Sequence, residues 1–279
     1  MSGRYRRRVI VRAALVPETV LLVPGAAGRA TVLEDERAAA RAAVEALLAA
    51  GPDVVVVVVP GREPGVLRAA TRTSFAAVGI PSAGDAGAPG ARSPLPAAPH
   101  VASSQGAGRV ADVGASVLVH LLHEAGWTGR VDVLVVPTAG SAARDDGADG
   151  AGGADGAGAA RAVVRAWDGW DATTGPEERV AVLLGGSLSA RHGPDAPLAD
   201  DPRAAALDAD LVRDLVAFDA GARGRLASLD AGLADALAIS AWASWQLLVH
   251  AAPPGTRGRL LHEAAPSGAA YAVVVWDVP

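Results

Sequence analysis

The chain of 279 residues contains no cysteine. Disulfides, thiolate nucleophiles, zinc knuckles and iron–sulfur ligation are thereby excluded. Lysine and asparagine are missing as well, so all 25 basic residues are arginine, a pattern of codon bias rather than of function. Those arginines are outnumbered by 30 acidic residues, giving a net charge of -5. A phosphate-binding surface needs clustered positive charge, so no nucleic-acid partner is expected. Long apolar runs are also lacking. The longest uncharged apolar block, Val54 to Val59, is far below the roughly 20 residues that cross a bilayer, and no membrane partner is expected. Arg4, Arg6, Arg7 and Arg8 precede an apolar run, but Arg12 interrupts it and no small-residue cleavage site follows. A first β-strand and a cytoplasmic protein are the expectation.

What is present suits one large core, with 51% hydrophobic residues against 20% charged. Val9 to Val16 reads as a strand and Val20 to Val23 as a short extended piece. Thr31 and Glu34 have the spacing of a capping box, and Ala40, Ala43, Val44, Leu47 and Leu48 share one face of the helix that follows. Gly51 and Pro52 stop it. Six consecutive valines without polar alternation then predict a strand covered on both faces, as in a parallel sheet between helices. The fold class expected is a single three-layer α/β/α domain over residues 1–279, around a mixed, largely parallel sheet.

Two segments break the pattern. Residues 81–108 are dense in Pro, Gly, Ala and Ser and predict a loop-rich insertion, and Gly140 to Ala159 is a low-complexity Gly, Ala and Asp tract expected to be a disordered insertion. That tract has no G-x-G-x-x-G register and no adjoining apolar strand, so it is not a dinucleotide fingerprint. Between them a helix is expected from about Val110, with Asp112, Ser116, His120 and His123 opposite its apolar stripe, followed by a strand from Val131 to Val136. Further helices are expected at Ala159 to Trp167, from Asp201-Pro202, at Asp230 to Ile239 and at Trp242 to Ala251. Strands are expected at Val180 to Leu184, Gly258 to His262 and Ala270 to Val275.

The stretch VLLGGSLSAR, Val182 to Arg191, resembles the strand and turn that present the catalytic histidine in class III extradiol ring-cleavage dioxygenases. LLVP at Leu21, DPRA at Asp201, WQLL at Trp245 and the ending LLHEAAPSGAAYAVVVW from Leu260 follow in an order similar to the actinobacterial branch of that family. The resemblance implies an Fe(II) site at the strand ends, held by two histidines and a glutamate, the open-sided set suited to O₂ activation. It also implies a small aromatic ligand and pairing as a homodimer or with a second subunit.

At the matching positions the chemistry is missing. Ala190 stands where the resemblance puts the acid/base histidine, Glu18 where it puts the first iron histidine, and Pro60-Gly61-Arg62-Glu63 where it puts the second. No histidine precedes His100, so no shift of alignment restores either imidazole. The glutamate position falls near Ala241, and no carboxylate occurs between Asp235 and Glu263. A catalytically degenerate protein that binds no cofactor is therefore expected, keeping a cleft for a small ligand or a surface for a partner. The alternative is a metal-dependent enzyme that assembles substitute ligands from Glu18, Glu63, His192 and Asp195, with His192 as a substitute base, since all lie in loops expected to follow strands. Arg62, Ser187, Ser189, Ala190, Arg191 and Trp245 complete the candidate cleft. Ser187 and Ser189 lack a G-x-S-x-G elbow and an activating base, which favours turn hydrogen bonding over nucleophilic attack. Trp242 and Trp245 either line an aromatic pocket or fill the core, and His120 with His123 either bind a metal from one helix face or lie solvated.

Overall fold

The structure is a computed structural model that describes residues 9–61, 64–70, 73–75, 78–79, 112–140, 156–171 and 178–279. Its frame is a seven-stranded mixed sheet formed by β1 (Val9–Val16), β2 (Val54–Gly61), β3 (Gly65–Leu67), β4 (Arg130–Pro137), β5 (Arg179–Gly185), β6 (Arg257–Ala264) and β7 (Tyr271–Asp277). The strands lie in the order β3-β4-β2-β5-β1-β7-β6. The central four run parallel, whereas β3, β6 and β7 pair antiparallel with their neighbours. The protein is thus a three-layer α/β/α domain, as the valine run implies.

That run shows the layering residue by residue. Val55, Val57 and Val59 pack with α1 (Glu34–Leu48) and α2 (Val113–Glu124) on one face. Val54, Val56 and Val58 belong to the opposite core, with residues of α3 (Gly156–Asp171), α4 (Ala204–Ala217), α5 (Ala220–Ser228), α6 (Ala231–Ala236) and α7 (Trp242–Ala251). Successive side chains of a strand point to opposite faces, so a strand between two helical layers needs apolar residues at every position. Each buried valine contributes about 1.5–2 kcal/mol of transfer free energy.

Several boundaries differ from the sequence expectation, each for a local reason. Val20–Leu22 is a 3₁₀ turn rather than an extended piece, capped by the Thr19 hydroxyl accepting from Leu21 N. The Thr31 capping box does not form. Instead α1 starts at Glu34 behind Leu33, whose φ of 53° turns its side chain onto the core, and Glu34, Asp35 and Glu36 favour the helix N-terminus electrostatically. The helix α2 begins at Val113 with Asp112 as its cap, and Val110 lies outside the described residues. Ser116 is fully buried and accepts from Ser74 N, so α2 is covered at that position, while Asp112 and His123 stay exposed.

Residues 156–159 are helical rather than disordered, because α3 runs continuously into the face that buries Val163, Trp167 and Trp170; the remainder of the 140–159 tract from 141 on, and the whole of 81–108, lie outside the described residues. Asp201 accepts from Arg203 N in a turn one step before α4, which therefore starts at Ala204. Short β3 and α5 carry too few periodic residues to be read from sequence.

Candidate functional site

The parallel strands deliver their C-terminal ends to one edge of the sheet, where Val16 of β1 lies beside Gly185 of β5. Chain leaving β1 places Glu18 at that edge. Its carboxyl lies in space left by two missing side chains: a Cβ on Gly114 would stand 3.2 Å from Glu18 Oε2, and one on Gly185 3.3 Å. The Ser240 hydroxyl neighbours the Glu18 carboxyl. Ser240 Oγ in turn accepts from Ser187 N at 2.8 Å and lies 3.1 Å from Ser187 Oγ.

The exit of β5 is clamped to the start of α7. Ala241 N donates to Ser187 O at 3.0 Å, and Ser244 Oγ donates to Gly185 O at 2.7 Å. Gly186, at φ 146°, lies so close that a Cβ would come within 2.3 Å of Ala241 Cα. Where the resemblance expects a liganding glutamate, a methyl group therefore packs on a glycine.

Burial pushes the Glu18 carboxyl up to about 7; the Ser240 hydroxyl partly opposes this and the nearby Asp112 charge adds to it. Folded protein then binds one more proton than unfolded chain between the ordinary value of 4.5 and about 7. Stability linked to Glu18 is fully present below pH 4.5, falls as pH rises through that window, and levels off above about 8, for a total of about 3 kcal/mol. Urea melts of the wild type at pH 5 and pH 8 are expected to differ by about 2.5 kcal/mol more than those of Glu18→Gln, which holds the neutral form at both. Equal pH dependence in the two proteins would refute the assignment.

A second cluster fixes the loop after β5. Ser189 Oγ donates to Asp208 Oδ2 at 2.5 Å, Ser189 N donates to Asp208 Oδ1 at 3.1 Å, and His192 Nε2 lies 2.6 Å from Asp208 Oδ2. Asp208 is buried on α4 and holds both residues. Ser189 and His192 meet only through this carboxylate, an order that positions a loop and leaves the serine without a base. Ala190 N donates to Leu237 O, Arg191 Nη1 donates to Ala199 O, and Asp195 is exposed.

The candidates of the sequence are thus divided among different environments. Glu18 and Ser187 meet in one cluster, Ser189 and His192 in another, while Arg62 and Glu63 lie outside the described residues. His192 is held in its loop, with Nε2 2.6 Å from Asp208 Oδ2. Trp245 is fully buried within the core, so it does not line an open cleft; Trp242 is also buried and donates from Nε1 to Leu229 O. His120 packs edge-on against Phe75 and lies 3.5 Å from Glu124, whereas His123 is exposed.

Ser240 and Asp208 were not singled out by sequence reasoning. Ser240 has no periodic signal. Asp208 had one, because its spacing from Ala204, Leu211 and Leu215 puts a carboxylate on the buried face of α4.

The donor set at the strand ends does not fit the Fe(II) arrangement that the resemblance implies. Among the described residues it offers one carboxyl whose pKa burial raises to about 7, two hydroxyls and the helix-capping Asp112, and no imidazole. Among the described residues no three His, Asp or Glu side chains are grouped to hold a metal. Next to the cluster, across Thr19, lies an apolar cavity of about 430 Å³ bordered by Leu21, Leu33 and Tyr271. No described helix is long and apolar enough to cross a membrane.

Fold and site together define a three-layer α/β/α protein with a protonatable polar cluster at the ends of its parallel strands. No family model matches the chain, and no curated protein matches it. Among solved structures it is similar to the crystal structure of the uncharacterized protein JW3007 from Escherichia coli K12, at 14% identity and a TM-score of 0.47, over 95% of this chain and 99% of that one. A likeness of that degree carries no functional inference.

Proposed function

We propose that this chain is an extradiol dioxygenase-like protein that has lost the family's iron chemistry and keeps a cleft for a small ligand. One observation carries the reading: Glu18, at the position where the resemblance puts an iron-binding histidine, packs against Gly114 and Gly185 beside the hydrogen-bonded Ser187–Ser240 pair. One buried carboxyl beside two hydroxyls supplies a single chargeable donor where the resembled site has three ligands. The methyl of Ala241, packed on Gly186, supplies no compensating oxygen. Ala190, at the acid/base position, offers only backbone, and the nearby His192 imidazole is held by Asp208.

Oxygen uptake with catechol and Fe(II) tests the loss of chemistry. The expected result is uptake equal to the protein-free control, with no ring-opened product. Turnover that depends on the protein would overturn the proposal.

A further inference from the structure

The cavity beside Thr19 is built from four separate stretches of chain: Leu21 after β1, Val32 and Leu33 before α1, Pro197 in the loop after β5, and the segment from Pro266 to Tyr271. None of its lining side chains carries a charge. At about 430 Å³ it falls in the range of sites for small molecules and accommodates on the order of ten to fifteen heavy atoms. Its walls are held in costly backbone conformations. Leu33 has φ 53° and Ser267 φ 50°, each worth about 1–2 kcal/mol of strain for a residue with a Cβ.

Two hydroxyls complete the lining, those of Ser267 and Tyr271. The Tyr271 phenol stands near the Thr19 hydroxyl, whose Oγ1 accepts from Leu21 N at 3.4 Å. A phenol carries one O–H to donate. Burial, reinforced by the Glu36 charge, holds the phenol above its ordinary value, so it remains a donor at neutral pH.

We propose that this cavity binds a small uncharged molecule with a ring-sized apolar body and one carbonyl-type oxygen, which accepts the hydroxyl proton at Tyr271. The absence of charge in the lining disfavours acids and amines, which would lose hydration without an ion partner. The inference deepens the ligand-cleft part of the function proposed above and rests on it. The oxygen-uptake result is independent of binding here, so failure of either is seen separately.

The test is a ¹⁹F NMR titration with 4'-fluoroacetophenone, which carries the carbonyl, and with fluorobenzene, which does not. Saturable binding of the ketone is expected, with nuclear Overhauser contacts to Tyr271 and Leu21 in the wild type. Tyr271→Phe should weaken the ketone about fivefold and leave fluorobenzene unchanged, the cost of one neutral hydrogen bond. Ala269→Leu, which fills the cavity, should weaken both more than about tenfold. The contacts in the wild type locate the ligand whether or not that variant folds. No saturation up to about 10 mM ketone, contacts to other residues, or a Tyr271→Phe protein that binds both molecules as the wild type does would overturn the proposal.

Discussion

Gly186→Ala is expected to lower the melting temperature by about 8–16 °C, corresponding to about 4 kcal/mol for a chain of this size. Two costs add. The residue holds φ 146°, a backbone conformation that L side chains rarely adopt, and its new Cβ would sit 2.3 Å from Ala241 Cα and 2.6 Å from Ala241 N. Backbone cannot rotate aside as a flexible side chain can. Gly193→Ala is the control, because it too has a positive φ, 74°, yet nothing lies within 4 Å of its Cβ position. Calorimetry should give it about 1 kcal/mol, a few degrees at most. Equal melting points for the two variants would show that the β5 exit and α7 are not in close contact.

The second large effect is expected from Asp132→Ala, at about 3–5 kcal/mol. Asp132 is fully buried in β4. Arg130 grips it through Nη2 at 2.6 Å and Nε at 3.2 Å, Arg68 Nη1 donates at 3.2 Å, Trp170 Nε1 at 2.9 Å and Ala69 N at 3.0 Å. Burial alone would raise its carboxyl, but the Arg130 hydrogen bonds, with those from Ala69 and Trp170, overcome this and hold it below the ordinary 3.8. A depressed carboxylate stabilises the fold above its unfolded value and ceases to do so as pH falls through its folded one. The wild type should therefore lose this contribution only below about pH 4, and Asp132→Ala should lack it at every pH. Removal leaves the Trp170 N–H and the Ala69 amide without this acceptor, and denaturation in guanidinium reads the cost. A change under about 1 kcal/mol would contradict the account.

These two residues illustrate what was legible in the chain. The valine run foretold a doubly covered strand because composition at consecutive positions is itself the signal of burial on both faces. Gly185 and Gly186 were visible as a turn, but only the register of β5 beside β1 and the approach of α7 explain why the second must be glycine. Asp132 was hidden inside an apolar strand reading. Its partners Arg68 and Trp170 come from distant stretches, and no local pattern joins them.

The candidate site was half legible for the same reason. Glu18 stood at a strand end, where open α/β sheets place their ligands, and Ser187 in the turn beside it. Ser240, which joins them, arrives from the far side of α6 with no periodicity to mark it. In the sequence His192 is a loop histidine after a strand, and only the fold brings the buried carboxylate of Asp208 to it.

The claim at the centre of this account is that the strand-end cluster replaces a metal site. Elemental analysis after anaerobic reconstitution with Fe(II) and desalting measures it directly. Iron near zero, with native circular dichroism, is the predicted result. About one iron per chain, lost in Glu18→Gln, would contradict it and restore a liganding role to the strand-end carboxylate.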